Sequence, residues 1–280
     1  MTVIETRVAE APPLPDRSRR SQRFRRWRGF VLPLTLLAAW SATSATGMFS
    51  AQVLPSPQTV LRDLWRLWLN GQLVGHVAIT TWRVALGFLS GTAVATVLGA
   101  GTGYSARTHE FLDPTIQALK AVPSLAWVPL FILWFGIYET SKVALIAVGV
   151  FFPVYLNLMT GLQGVDRRFV EVGLVNNLGP FALVRHILAP AALPSYFTGL
   201  RAGLALGWMF VIAAELMGAS QGLGFLMTDG EMTGRPAIII GSLILFAIMG
   251  KVTDAILVSV GRRALSWQDD FASLQGRLLE

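Results

Sequence analysis

Val143 to Leu162 runs for twenty residues without one charged side chain. As a helix, such a run rises about 30 Å, the thickness of a bilayer's hydrocarbon core. It is not alone. Phe30–Phe49, Val84–Tyr104, Pro123–Ile137, Tyr196–Met217 and Pro236–Val258 are predominantly apolar as well. Only 14% of the 280 residues are charged, against about 25% in a soluble domain. The expected fold is all-α: a polytopic transmembrane bundle of about six spans. Residues 1–28 form a basic tail, 29–265 the transmembrane domain and 266–280 a polar C-terminal tail.

The chain has no cysteine, which removes disulfides, a thiolate nucleophile and cysteine metal ligands. His76, His109 and His186 are scattered, with no pair at ligand spacing, so no metal site is expected. No catalytic or cofactor-binding set emerges, and no Gly-x-x-x-x-Gly-Lys-Ser/Thr occurs.

The tail carries Arg7, Arg17, Arg19, Arg20, Arg23, Arg25, Arg26 and Arg28. It reads as irregular and basic, suited to an anionic membrane surface. A nucleic-acid arm is the rival reading, opposed by the apolar spans that follow at once; no nucleic-acid partner is expected. Phe30–Phe49 reads as a retained span or as a signal peptide with a long polar lead. In Val60–Leu69, Leu61, Leu64, Trp65, Trp68 and Leu69 share helical spacing. Either an interfacial helix or one packed on the end of the bundle satisfies that pattern. Gly87 and Gly91 form a GxxxG in the second span, read as close helix packing.

Ser105–Val122 reads as a polar connection, Glu139–Lys142 as a tight turn and Ala219–Arg235 as a Gly-rich loop. With the N-terminus taken as cytoplasmic, sixteen Lys and Arg fall in inside segments. Four fall outside: Arg62, Arg66, Lys142 and Arg235. That bias satisfies the positive-inside rule and puts both termini in the cytoplasm.

A polar interruption, Phe169–Pro194, separates the fourth and fifth spans and lies on the cytoplasmic side. It reads as a short helix carrying Glu171, a turn at Asn177-Leu178-Gly179-Pro180 and a second short helix, Phe181–Leu188. Pro190 and Pro194 then restart the chain into the membrane. Asn adopts the left-handed conformation of a turn more readily than other side chains. Gly173 weakens the first helix by about 1 kcal/mol relative to Ala. An ordered polar hairpin between two spans implies a cytosolic partner; a surface-lying loop without one is the plain alternative.

This stretch resembles the coupling loop (here 164–194) of ABC importer permeases, the binding-protein-dependent inner-membrane components. The family's loop reads Glu-Ala-Ala, then Gly, then a hydrophobic run ending in Leu-Pro. Glu171 matches the Glu and Pro190 the Pro. Val172 and Gly173 replace the two Ala, Asn177 replaces the Gly, and Ala189 replaces the Leu. Other family-like stretches follow in order from Leu54 to Trp267. They include Leu54-Pro55-Ser56-Pro57, Gly71, His76, Arg83, Leu133–Ile137, Phe152–Tyr155, Ala214-Glu215 and Gly222-Leu223-Gly224. Together they are similar to the nitrate, sulfonate, taurine and bicarbonate branch, and most to its aliphatic-sulfonate permeases.

The resemblance implies an inner-membrane permease for a small anion, with two ATPase subunits, a second permease copy and an extracytoplasmic solute-binding protein. ATP and Mg would sit on the ATPases, and the chain itself would be non-catalytic. Phe169, Glu171, Val172, Gly173, Asn177, Leu178, Gly179, Pro180, Phe181, Val184 and Pro190 are the expected coupling residues. Within them Glu171 would cap or salt-link the hairpin, and Leu178, Phe181 and Val184 would enter the ATPase groove.

Ionisable groups inside spans each need a partner or a role. Lys251 and Asp254 are i, i+3 and read as an ion pair or a pathway element. Arg201 is expected to snorkel to the interface. Glu215 either faces the path or bonds a neighbouring helix, and Asn157 is helix-pairing glue or a substrate ligand. Two other functions stand against the permease. An ion-coupled secondary transporter would want midplane carboxylates and an inverted repeat, and none is visible. A membrane enzyme would want a nucleophile–base pair or metal cluster.

Overall fold

The computed structural model describes residues 18–267, with side chains from Val31 onward except Ser124. Expectations for residues 1–17 and 268–280 lie outside the described residues. The chain forms two compact units, residues 1–58 and 59–280.

The first unit holds α1 (Ser18–Ala45). Helix begins inside the tail expected to be irregular, and the apolar part, Val31–Ala45, is shorter than Phe30–Phe49. Gly47, with φ 70°, ends it. The chain then folds back, and the Trp40 indole donates to the Pro55 carbonyl (3.0 Å).

The second unit is all helix and turn among the described residues. It holds all but the first two residues of α2 (Pro57–Leu69), whose buried residue is Val60 while Leu61, Trp65, Trp68 and Leu69 stay exposed. Then come α3 (Gln72–Tyr104), α4 (Ala106–Ala121), α5 (Val128–Phe135), α6 (Glu139–Gln163), α7 (Arg167–Val175) and α8 (Pro180–Leu183). A π-turn (Val184–Leu188) joins α8 to α9 (Ala189–Leu216); α10 (Leu223–Met232) and α11 (Pro236–Ala264) complete the chain.

Four helical segments are long and apolar enough to cross a membrane: α3, α6, α8 through α9, and α11. The bent α4–α5 pair gives a fifth candidate, and α1 adds a shorter apolar helix. The all-α polytopic reading holds, with several boundaries moved. The second span starts twelve residues before Val84, at Gln72. Its first turns carry His76, Thr80 and Arg83, polar groups that lower apparent hydropathy although they are bonded inside the protein.

Ser105–Val122 is helical, with the Ser105 hydroxyl capping α4. The third span is not straight: α4 and the segment through α5 are bent by 86°. Pro123 holds Val122 extended, and a 3₁₀ turn (Ser124–Trp127) leads into α5. Glu139–Lys142 is the first turn of α6, not a tight turn. The Gly-rich loop contains α10.

α6 is the centre of the bundle, clamped between α3 and α9. On α3, small residues recur every fourth position: Gly87, Gly91, Ala95, Gly99 and Gly103. A Cβ on Gly87 would strike Ile146, one on Gly91 the Ala147 carbonyl, and one on Gly103 would lie 2.8 Å from Leu162. On α9 the ridge is Gly199, Gly203 and Gly207, packed against Asn157, Val154 and Val150 of α6. Lipid tails are as apolar as leucine, so helices here associate through dispersion at close approach, which small residues permit. A Thr96–Tyr196 hydroxyl bond (2.7 Å) ties α3 to α9. The Trp208 indole donates to Thr253 (2.9 Å) and ties α9 to α11.

Gly91→Val should lower stability by about 1–3 kcal/mol, because the obstructing atoms are backbone and cannot rotate away. Gly75→Ala, at a site open on all sides, should not. Melting curves of the detergent-purified protein check the difference.

Candidate functional site

Two constructions occupy opposite ends of the bundle. The first is the hairpin of α7 and α8. Asp166 caps α7, its carboxylate accepting from Arg168 N–H (2.9 Å). α7 ends in a Schellman turn. Leu178 N–H donates to the Gly173 carbonyl (3.0 Å) and Asn177 N–H to Leu174 (3.0 Å). Asn177 has φ 54°, the left-handed conformation expected of it.

Gly173 is where the arms meet. A Cβ there would lie 2.6 Å from Leu183 and 2.7 Å from Ile187. Its use is therefore close approach, not merely lost helix propensity. Glu171 does not bridge the two arms: it pairs with Arg167 one turn earlier (2.9 Å), both exposed. Phe169, Val172 and Val175 form an exposed apolar stripe along α7. Phe181 on α8 is 78% exposed. Leu178 is half-buried, and Val184 packs on the cluster of Leu158, Leu162, Leu188 and Ala192. Gly179 caps α8 and Pro180 opens it.

The second arm is not a separate short helix. It runs without a break from Pro180 to Leu216, thirty-seven residues. Ala189 N–H bonds back to the Val184 carbonyl, five residues away, in the wider π-turn. Pro190 follows directly and has no N–H to give, so the turn absorbs the missing bond while the rod continues.

The second construction is a buried charge cluster where α3 and α6 begin and α9 ends. Arg83 is 2% exposed and Glu215 1%. Arg83 Nε and Nη2 fork the Glu139 carboxylate (2.6 and 2.7 Å). Its Nη1 donates to Glu215 Oε1 (2.7 Å) and to the Gln221 carbonyl (2.6 Å). The Lys142 ammonium donates to Glu139 (3.2 Å) and to the Ile137 carbonyl (3.1 Å). Two cations thus face two carboxylates.

The start of α10 completes the cluster. Gly224 N–H donates to Glu215 Oε2 (2.7 Å), Leu223 N–H to the Thr80 hydroxyl (2.8 Å) and Gly222 N–H to His76 Nδ1 (3.0 Å). Thr80 in turn donates to Glu215 Oε1 (2.7 Å). Three of the orphan donors at this helix N-terminus are thereby satisfied, and the carboxylate lies at the positive end of the helix dipole. Gly222 has φ 127°, and a Cβ there would sit 2.5 Å from the Glu215 carboxylate.

Glu215 therefore bonds neighbouring helices, one of its two expected roles. Arg201 does not simply snorkel: Nε and Nη2 grip Asp254 across α9 and α11 (2.9 and 3.2 Å). Lys251 approaches the same carboxylate at only 3.9 Å. Asn157 donates within its own helix, to the Pro153 carbonyl (2.8 Å); it touches α9 through its Cβ at Gly199.

Arg83, Glu139, Thr80 and His76 received no role from the sequence. One signal pointed to Arg83. Arg83 and Glu215 both adjoin apolar runs, and charges of opposite sign in a membrane protein pair more cheaply than either stands alone.

Glu215→Ala should cost about 3–5 kcal/mol, since it strands Arg83 in a buried site. Glu139→Ala should be milder, because Arg83 keeps Glu215 and Glu139 is half open to solvent. Yield of monodisperse protein and its melting temperature rank the two.

A family model, binding-protein-dependent transport system inner membrane component, matches residues 87–265. A putative aliphatic sulfonates transport permease protein of Bacillus subtilis is 40% identical over 244 residues, 87% of this chain and 88% of that protein. A taurine transport system permease protein of Escherichia coli is 33% identical over 243 residues, 84% and 87% of the two chains. A nitrate import permease protein of Synechocystis is 33% identical over 210 residues, 72% and 76%. The family match takes in the whole hairpin together with Glu139, Lys142 and Glu215 of the charge cluster, and begins just after Arg83; the chain belongs to the inner membrane component family of binding-protein-dependent transport systems.

Proposed function

We propose that the chain is the permease subunit of an ATP-driven importer of a small anionic solute, with an aliphatic sulfonate favoured over taurine, nitrate or bicarbonate. Its partners are two ATPase subunits, a second permease copy and an extracytoplasmic solute-binding protein. ATP and Mg belong to the ATPases. The hairpin end faces the cytoplasm with both termini, as the bias in Lys and Arg supports. The observation that carries this reading is the hairpin: a capped, glycine-tightened turn presents exposed apolar side chains that the bundle itself does not cover.

The continuous rod supplies a mechanism. From Phe181 to Glu215 one helical path runs about 50 Å. A push on the hairpin by the closing ATPase dimer moves α8, and α9 carries the displacement to the charge cluster. That cluster ties α9 to α3, α6 and α10, so these helices swing together between inward- and outward-open states.

An ion-coupled transporter would need an interior carboxylate free to bind and release its ion. Glu215 and Asp254 are instead engaged by arginines. In proteoliposomes holding the permease, its ATPase and binding protein, uptake of a labelled alkanesulfonate should require ATP. Protonophore should leave it unchanged at fixed ATP. Collapse of uptake with the proton gradient would overturn the reading.

Gly173→Val, Asn177→Pro and Glu171→Lys should each abolish coupled uptake while membrane insertion stays normal. The first separates the arms, and the second imposes a φ near −65° where 54° is needed. The third replaces an attraction to Arg167 by repulsion. ATPase co-purification and uptake are the readouts; wild-type transport by these variants would exclude docking at this hairpin.

A further inference from the structure

Between α9 and α11, toward the hairpin end, lies an open groove of about 500 Å³. Its rim is cationic and its floor apolar. Arg201 and Arg262 stand on the rim with the Thr198 and Ser266 hydroxyls, and Phe197, Leu257 and Leu265 line the floor. The helices cross closely here: a Cβ on Gly261 would lie 3.1 Å from the Phe197 ring.

Asp254 fixes Arg201 without using it up. The carboxylate takes Nε and Nη2, and Nη1 has no bond among the described residues. Arg262 has no acidic partner among the described residues. Arg201 lies fourteen residues from Glu215 along α9, about 21 Å, and Arg262 about 12 Å beyond Asp254 along α11. If the charge cluster marks one interface, Arg262 reaches headgroup depth at the other. A second groove of about 230 Å³, almost wholly apolar, shares Leu257 with the first and continues between α3, α9 and α11 past Phe88, Leu204 and Val260.

We propose that this pair of grooves is a binding site for one anionic phospholipid. Its phosphodiester lies between Arg262 and the free edge of Arg201, and an acyl chain follows Leu257 into the apolar groove. Basic pockets between spans at the cytoplasmic side favour such headgroups. The orientation proposed above names the leaflet; binding itself does not depend on it or on transport.

The test is native mass spectrometry of the full chain in detergent. The lipids are palmitoyl-oleoyl phosphatidylglycerol and the phosphatidylcholine with the same chains. The wild type should retain the anionic lipid preferentially. Arg262→Gln should reduce that retention about five-fold, equivalent to about 1 kcal/mol for one basic residue at the headgroup. Arg263→Gln, one residue beyond the groove, should not. Ser266→Asp, a second variant that sets a carboxylate on the rim, should also remove the preference.

Equal retention of both lipids, or equal loss in the Arg262 and Arg263 variants, overturns the proposal. Displacement of the lipid by glycerophosphoglycerol at equal concentration would mean a free-phosphate site instead. Preference appearing only in an Asp269→Asn, Asp270→Asn double variant would assign the groove to the chain's own acidic tail.

Discussion

Arg83 cannot sit bare in a bilayer. The cost of an uncompensated guanidinium there, several kcal/mol at the least, dictates the arrangement of four helices around it. Two carboxylates and a carbonyl take its N–H groups. The same carboxylates then meet Lys142 and the first turn of α10. A pair alone would leave lone pairs and helix-end donors unsatisfied, and buried ion pairs hold only when those are met. Here Thr80, His76 and the backbone of 222–224 meet them. Gly222 and Gly224 belong to this logic, because any side chain would displace the Glu215 carboxylate from the helix end.

The rest of the bundle keeps that cluster in register. α6 has glycine ridges against it from both sides, so the α3 and α9 backbones close directly onto its side chains and, at Gly91, onto the Ala147 backbone. A helix held in this way moves with its neighbours. The second hairpin arm, the π-turn and α9 form one rod whose two ends are the apolar hairpin and Glu215. Pro190 and Pro194 fall where the rod leaves the hairpin. Their missing N–H groups are accommodated by the π-turn and by the start of α9 rather than by a break. Force applied at one end therefore reaches the other without a loop between.

The hairpin was largely legible beforehand. Asn177 in the left-handed turn and the short helix carrying Glu171 follow from local chemistry and spacing, while an outward Phe181 was implied by the family resemblance. Gly173 was misread, since only the facing positions of Leu183 and Ile187 disclose why a side chain is excluded. Val184 looked like part of the exposed face. It is half-buried because α8 continues directly into the membrane and turns that side toward Leu158 and Leu162.

The sequence by itself determined that the chain is a helical membrane bundle, roughly where most spans lie and where its polar hairpin falls. These rest on composition, runs of apolar residues and turn chemistry, all local in the chain. Tertiary structure decided the extra turns of α3, the bent α4–α5 pair, the helix hidden in the Gly-rich loop and the partners of Arg83, Glu215 and Arg201. Glu215 meets Arg83 across 132 positions and Arg201 meets Asp254 across 53. Hydropathy scores a residue by its own transfer energy. It cannot register that a charged side chain becomes tolerable once a distant helix brings the opposite charge within bonding distance.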